Sequence, residues 1–227
     1  MNSSKSINRI NESVCAIVPF YNEKGTLLIL LSNTLSYVTT IIAVNDGSTD
    51  DLYIPERNKQ NVRVIDLEKN FGKGRALSVG FEEAIRQGFE YVVTLDADLQ
   101  HDPNFIPDLL QALDRYDIVI GNRLNSLKDM PFQRRLSNKL TSYFLTKKTG
   151  QKIIDSQCGF RAYRAEVLRN VKTNYMGYEA ESEMLIRAAR SGFKIGFIDI
   201  PTIYGNEKSK MKPVQAIFGF IKVLIST

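Results

Sequence analysis

Tyr91-Val92-Val93-Thr94-Leu95-Asp96-Ala97-Asp98-Leu99-Gln100-His101-Asp102-Pro103 decides how the rest of the chain is read. The apolar run Tyr91 to Leu95 predicts a buried strand that ends in two acids one residue apart. Pro103 then opens a new element, predicted as a helix to about Arg115. Asp96 and Asp98 are expected to do different work. One can face a sugar or ribose while the other holds a divalent cation against a diphosphate. Mg2+ and Mn2+ take hard oxygen ligands and share them with substrate phosphates. By itself, an Asp-x-Asp fits a polar turn with two solvated acids equally well.

Working outward, the same pattern recurs. Val14 to Val18 is an apolar run stopped by Pro19, followed by the loop Pro19-Phe20-Tyr21-Asn22-Glu23 and a leucine-rich helix predicted over Lys24 to Tyr37. Thr40 to Val44 predicts a second strand, ending at Asn45-Asp46-Gly47-Ser48-Thr49-Asp50, where Ser and Thr are N-cap candidates for a short helix. Val62 to Asp66 predicts a third strand, Asn70 to Gly74 a loop, and Arg75 to Gln87 a helix. Asp117 to Ile120 is a fifth strand after the one ending at Leu95. Strands alternating with helices imply crossovers and a mostly parallel sheet, in which ligands sit at the carboxyl ends of the strands. Nearly all the unusual polar residues fall in the loops after strands one to four.

The second half reads differently. Pro131 to Lys148 predicts an amphipathic helix, with Phe132, Leu136, Leu140, Tyr143 and Phe144 at helical spacing and Arg134, Arg135, Lys139, Lys147 and Lys148 interleaved. No acid occurs between Asp129 and Asp155. Such a helix either packs its apolar face on the sheet or lies on an anionic bilayer. Asp155 to Arg161 is a loop entering a strand, Tyr178 to Arg190 a helix with Glu179, Glu181 and Glu183 near its start, and Phe193 to Ile200 a strand closed by Pro201. Val214 to Ile225 is nearly all apolar but spans only about 18 Å as a helix, short of a bilayer core of about 30 Å.

Composition bounds the function classes. The chain of 227 residues is 43% hydrophobic and carries a net charge of +5. It is expected to be one globular domain over 1–227, with a flexible stretch to about residue 12 and an apolar terminal helix over 213–227. The charge suits a phosphate or an acidic membrane surface and gives no reason to expect nucleic acid. Cys15 and Cys158 lack metal-ligand spacing, and a reducing compartment is the simpler expectation. Met1 to Ser13 lacks an apolar signal core, and no run reaches the roughly 20 apolar residues of a spanning helix.

Six motifs now stand in order: Val18 to Glu23, Val44 to Asp50, Asn70 to Gly74, Asp96 to Pro103, Gly121-Asn122-Arg123 and Cys158-Gly159-Phe160-Arg161. This series resembles the family-two inverting glycosyltransferases of GT-A fold, and within them the dolichyl-phosphate mannose synthase and polyprenyl-phosphate glycosyltransferase branch. The resemblance covers roughly residues 14 to 212. It implies an α/β, GT-A-like, Rossmann-type sheet, mostly parallel and flanked by helices, with amphipathic membrane-facing helices in the second half. It implies a nucleotide-sugar pocket lined by Pro19, Tyr21, Glu23, Asp46, Lys73, Asp96, Ala97 and Asp98, with Asp46 touching the base. The family usually has two adjacent acids where this chain has Asn45 and Asp46. Asp96 and Asp98 would be the catalytic pair, Asp96 holding the donor and Asp98 binding Mg2+ or Mn2+ together with Gln100. His101 is expected to be structural or to stand behind the site. Arg123 and Arg134 would clamp an acceptor phosphate, aided by Lys210 in a Ser-Lys loop whose usual preceding residues are poorly matched.

The implied reaction moves a monosaccharide from a nucleotide sugar, of GDP-mannose or UDP-glucose type, to a polyprenyl or dolichyl phosphate. It would take place at the cytoplasmic face of a membrane, with the protein docked peripherally or held by a small membrane subunit. Two alternatives stay open. Transfer to a sugar hydroxyl would need a carboxylate base, for which Glu179, Glu181 and Asp155 are candidates. A non-catalytic nucleotide-sugar binding subunit has less need of the Asp96, Asp98 and Gln100 set.

Overall fold

The computed structural model describes residues 13–53, 61–124, 132–201, 203 and 213–227, without the side chains of 132–134 and 213–217. The strands are β1 (Val14–Phe20), β2 (Thr40–Asn45), β3 (Val62–Asp66), β4 (Tyr91–Thr94), β5 (Ile118–Asn122), β6 (Arg161–Arg164) and β7 (Ile195–Asp199). The helices are α1 (Leu27–Thr34), α2 (Lys73–Arg86), α3 (Ile106–Ala112), α4 (Phe132–Thr149), α5 (Ala165–Asn170), α6 (Glu179–Arg190) and α7 (Pro213–Ser226).

The strands form one sheet in the order β3-β2-β1-β4-β6-β5-β7. β1 is buried over its whole length, as expected of a central strand covered on both faces. It pairs in parallel with β2 on one side and β4 on the other. The chain therefore runs outward from β1 to β3 and then jumps back to β4. That reversal opens a crevice at the carboxyl ends of β1 and β4, where a doubly wound sheet binds its ligand. β6 runs antiparallel between β4 and β5, with Arg161 opposite both Thr94 and Ile120. Its direction brings the loop 155–160 to the same rim from which Asp96 and Arg123 emerge.

Several elements depart from the local pattern. α1 is shorter than Lys24 to Tyr37, because Glu23 to Thr26 forms a turn in which Thr26 Oγ1 donates to the Glu23 carboxylate (2.9 Å). No helix follows Asp50 over the described residues; the Ser48 hydroxyl that could have capped it accepts from the Asn22 N–H instead (2.9 Å). Between Pro103 and Ala112 a 3-10 turn over Pro103–Phe105 precedes α3, capped by Asp102 accepting from the Asn104 N–H. α5 and the antiparallel sense of β6 had no counterpart in the sequence pattern.

α4 falls where the amphipathic helix is expected. It buries Asn138, Ser142 and Leu145 and turns Leu136 and Tyr143 (each 57% exposed), Leu140 and Phe144 to solvent. α7 buries Val223 and exposes Phe218, Ile221 and Ile225. The two helices touch, and Lys148 Nζ donates to the Leu224 carbonyl (2.8 Å). No helix among the described residues is long and apolar enough to cross a membrane.

Candidate active site

The first two loops of the rim lock to each other. Asn22, with φ at +53°, accepts from the Thr49 N–H (2.7 Å), and the Lys24 N–H donates to Asp50 (2.9 Å). Tyr21 and Glu23 are half-buried on this rim, whereas Pro19 lies buried inside β1. Asp46, expected at the base, is tied to a neighbouring loop. It is buried, and its two oxygens accept from the N–H groups of Phe71 (2.8 Å) and Gly72 (2.9 Å). Burial pushes its carboxyl above the usual range, against the pull of those two donors. Its visible work is to hold the loop that delivers Lys73. Asn45 bridges the neighbouring strands, donating to Asp66 (2.8 Å) and accepting from the Ser48 N–H (2.8 Å).

Gly72 makes the turn into α2 at φ +107°, a backbone conformation that side chains resist. The turn aims Lys73 across the crevice. Its ammonium lies 2.6 Å from Asp96 Oδ1 and 2.9 Å from Glu181 Oε2 at the start of α6. Burial opposes the Lys73 charge, but the two carboxylates outweigh it and raise its pKa above the ordinary lysine value. Removal from water likewise opposes the Asp96 charge, and Lys73 and His101 overcome it, holding Asp96 well below the usual carboxylate range. His101 is 2% exposed, with Nε2 3.6 Å from Asp96 Oδ2, and its ring lies against Phe160. It stands behind Asp96, as expected of a supporting residue.

Asp98 and Gln100 lie two residues apart in one turn. Leu99 has φ +60°, rare for a branched aliphatic residue, so the segment turns. The Asp98 carboxylate supports that turn by accepting from the Gln100 N–H (3.1 Å). Among the described residues, no group of three or more His, Cys, Asp or Glu side chains could hold a metal unaided. A carboxylate and an amide oxygen from one turn fit a hard divalent ion that takes its remaining ligands from phosphate and water. The residues present therefore fit Mg2+ or Mn2+.

Arg123, on the loop after β5, gives Nε and Nη2 to Asp155 at 2.8 and 3.0 Å. Arg134 lies on α4 with its side chain outside the described set, and Lys210 lies outside the described residues altogether. Residues with no assigned role complete the site. Arg161 is fully buried and donates to the carbonyls of Cys158 (2.7 Å), Ser156 (2.9 Å) and Glu181 (3.3 Å). Its guanidinium also lies 3.4 Å from the Glu181 carboxylate. Glu183 instead faces inward, accepting from the Asn174 and Tyr175 N–H groups and from Arg187. Cys158 is buried, and burial pushes its thiol up to about 12, so it stays protonated and inert.

Gly159 sits where any side chain would run into the Asp96 carboxylate, and its carbonyl accepts from Thr94 Oγ1 (2.8 Å). Because Lys73 pins Asp96, neither partner can yield. Gly159→Ala is expected to cost about 1–3 kcal/mol as overpacking. It should also weaken nucleoside diphosphate binding. Thermal melting and calorimetric titration with UDP and GDP check both, and an unchanged pair of values would refute the contact.

The comparisons with known proteins agree with this geometry. The family described as Glycosyl transferase family 2 matches residues 15–172. The chain belongs to glycosyl transferase family 2. It is 32% identical over 228 residues to the UDP-N-acetylglucosamine–dolichyl-phosphate N-acetylglucosaminyltransferase of Methanococcus voltae, covering 90% of each chain. It is 29% identical to the undecaprenyl-phosphate mannosyltransferase of Micrococcus luteus, covering 91% of this chain and 89% of that one. Among solved structures it resembles glucosyl-3-phosphoglycerate synthase of Mycobacterium tuberculosis in complex with Mn2+, UDP and phosphoglyceric acid. The TM-score is 0.72 at 20% identity, covering 96% of this chain and 80% of that one. The expected GT-A fold is thus the fold of this glycosyltransferase, as its mostly parallel sheet also shows.

Proposed function

We propose that this glycosyltransferase moves a monosaccharide from a nucleotide sugar to a polyprenyl phosphate at the cytoplasmic face of a membrane. The observation that carries the proposal is the pinning of two of the three candidate carboxylates. Glu181 lies between Lys73 and Arg161, and Asp155 is fully buried under Arg123. Glu179, half-buried at the start of α6, is not pinned in this way. A hydroxyl acceptor needs a carboxylate poised to take a proton. A phosphate acceptor arrives already ionised and needs none. The relatives named for dolichyl- and undecaprenyl-phosphate transfer support the same choice. The outward apolar stripe of α4, with lysines beside it, supports docking on an anionic bilayer.

In the reaction, an acceptor phosphate oxygen attacks the anomeric carbon as the bond from that carbon to the diphosphate oxygen breaks, inverting the centre. Asp98 and Gln100 would hold Mg2+ or Mn2+, which neutralises the leaving diphosphate when bound. Asp96, fixed by Lys73 and His101, would orient the donor sugar or ribose. Lys73 is itself a cation beside the leaving group's path, and Tyr21 and Glu23 would line the base and ribose pocket. Arg123, Arg134 and Lys210 would receive the acceptor phosphate.

The test is a transfer assay with a panel of GDP- and UDP-sugars, Mn2+ or Mg2+ and a short polyprenyl phosphate, with lipid products followed by mass. A lipid-linked monosaccharide from one donor is expected. Nucleotide-sugar binding with no lipid product, but with transfer to a hydroxyl acceptor, would overturn the proposal.

A further inference from the structure

The Asp155 carboxylate gathers five donors while fully buried. Three come from Arg123: the backbone N–H (3.2 Å), Nε (2.8 Å) and Nη2 (3.0 Å). One comes from Asn138 Nδ2 on α4 (2.6 Å) and one from the Gln157 N–H on its own loop (3.2 Å). From Asn138 the network runs on along the inner face of α4. Its Oδ1 accepts from Ser142 Oγ (3.1 Å), and Ser142 Oγ meets Ser156 through both the backbone N–H and the hydroxyl of that residue. This explains why α4 turns its polar face inward and its apolar stripe out.

Holding a helix to neighbouring loops does not require such a network. Apolar side chains of similar volume usually serve stability as well as a buried ion pair does, or better. What the pair adds is geometry. The Arg123 guanidinium is planar, and the bonds from Nε and Nη2 fix that plane. Nη1 is left without a hydrogen-bond partner among the described residues, and the Asp96 carboxylate is near enough to act on the Arg123 charge. The same carboxylate of Asp155 fixes α4, which carries Arg134. At long range Asp155 cancels the charge of Arg123, so Arg123 must work through donors placed at short range.

We propose that Asp155 is a positioning residue: through Arg123 and Asn138 it sets the guanidinium and α4 at one separation, so that an acceptor phosphate meets both. This rests on the phosphate-acceptor reading above and assigns Asp155 a task other than that of a base. Burial opposes its charge, but Arg123 and Asn138 hold its carboxyl below the usual range, which unfits it to take a proton.

The experiment measures acceptor KM and kcat with a short polyprenyl phosphate, and UDP and GDP affinity with Mn2+ by calorimetry, for Asp155→Asn, Asn138→Ala, Arg123→Ala and Asp155→Asn/Arg123→Ala. Asp155→Asn keeps the size of the side chain but turns an NH2 group toward the arginine donors. Acceptor KM is expected to rise about tenfold to a hundredfold in Asp155→Asn, as for a misplaced substrate clamp. Asn138→Ala should move in the same direction by less, with nucleotide affinity within about twofold of wild type in both. In the Arg123→Ala background the Asp155→Asn effect should nearly vanish, since the two act as one unit. Full additivity, or equal losses in nucleotide binding and kcat with acceptor KM unmoved, would overturn the positioning role. If Asp155→Asn does not fold, Asn138→Ala carries the same comparison. An acceptor KM unchanged in Arg123→Ala would instead overturn the acceptor reading of Arg123, leaving a different signature from a failure of Asp155 alone.

Discussion

Asp98→Asn is expected to lower turnover by about a thousandfold or more while the thermal midpoint stays near that of wild type. The substitution keeps the size of the side chain and its ability to accept from the Gln100 N–H, so the turn at Leu99 should survive. It removes a negative charge from the two protein groups suited to a divalent ion. Charge neutralisation by a metal at a leaving group is worth several kcal/mol, and about 4 kcal/mol corresponds to a thousandfold in rate. A second readout separates this from a general lesion. Mn2+ should tighten UDP or GDP binding to the wild type and have little effect on the variant. Turnover within about tenfold of wild type would exclude Asp98 as the ion's principal ligand. The absence of turnover in wild type and variant alike, with nucleotide-sugar binding intact, would favour a binding protein over an enzyme.

Arg161→Met should give the largest loss of stability. The fully buried guanidinium serves three carbonyls, at Cys158, Ser156 and Glu181, and also the Glu181 carboxylate. Removing one partner of a buried ion pair typically costs about 3–5 kcal/mol, because the other charge stays buried and unpaired. For a chain of this size that corresponds to a fall of roughly 6–20 °C in thermal midpoint. The damage should reach function as well, since Ser156 and Cys158 belong to the loop that sets Gly159 against Asp96. A melting curve decides the matter: a midpoint within about 2 °C of wild type would mean that Glu181 finds enough support in Lys73 alone.

Much of the candidate site is local and therefore readable along the chain. The Asp96 to Gln100 turn, the Gly72-Lys73 turn and the loops after β1 and β2 are short segments whose residue types carry their own geometry. Glycine supplies a left-handed or open φ, Asn and Asp accept from nearby N–H groups, and apolar runs supply the strands. The alternation of those runs with helical patterns is enough for a mostly parallel sheet with its crevice at the carboxyl ends. Asp46 shows where this kind of reading stops. Its oxygens accept from the N–H groups of Phe71 and Gly72 on another loop, a pairing no local pattern announces. Likewise, Gly159 belongs to a recognisable motif, but only its contact with Asp96 shows why glycine is needed there.

The sequence by itself determined the layering of the domain and the six loops that make its rim, because hydrophobic period and turn chemistry are properties of neighbouring residues. Tertiary structure alone decided which charges meet. Lys73 joins Asp96 and Glu181, Arg161 joins Glu181 to the loop 156–158, and Asp155 joins Arg123 to α4. An antiparallel β6 brings that loop to the rim, and nothing in four residues of strand announces their direction. α4 makes the same point in reverse: its periodicity gave two faces, but which face turned inward depended on a buried carboxylate needing donors, a requirement set by residues outside the helix.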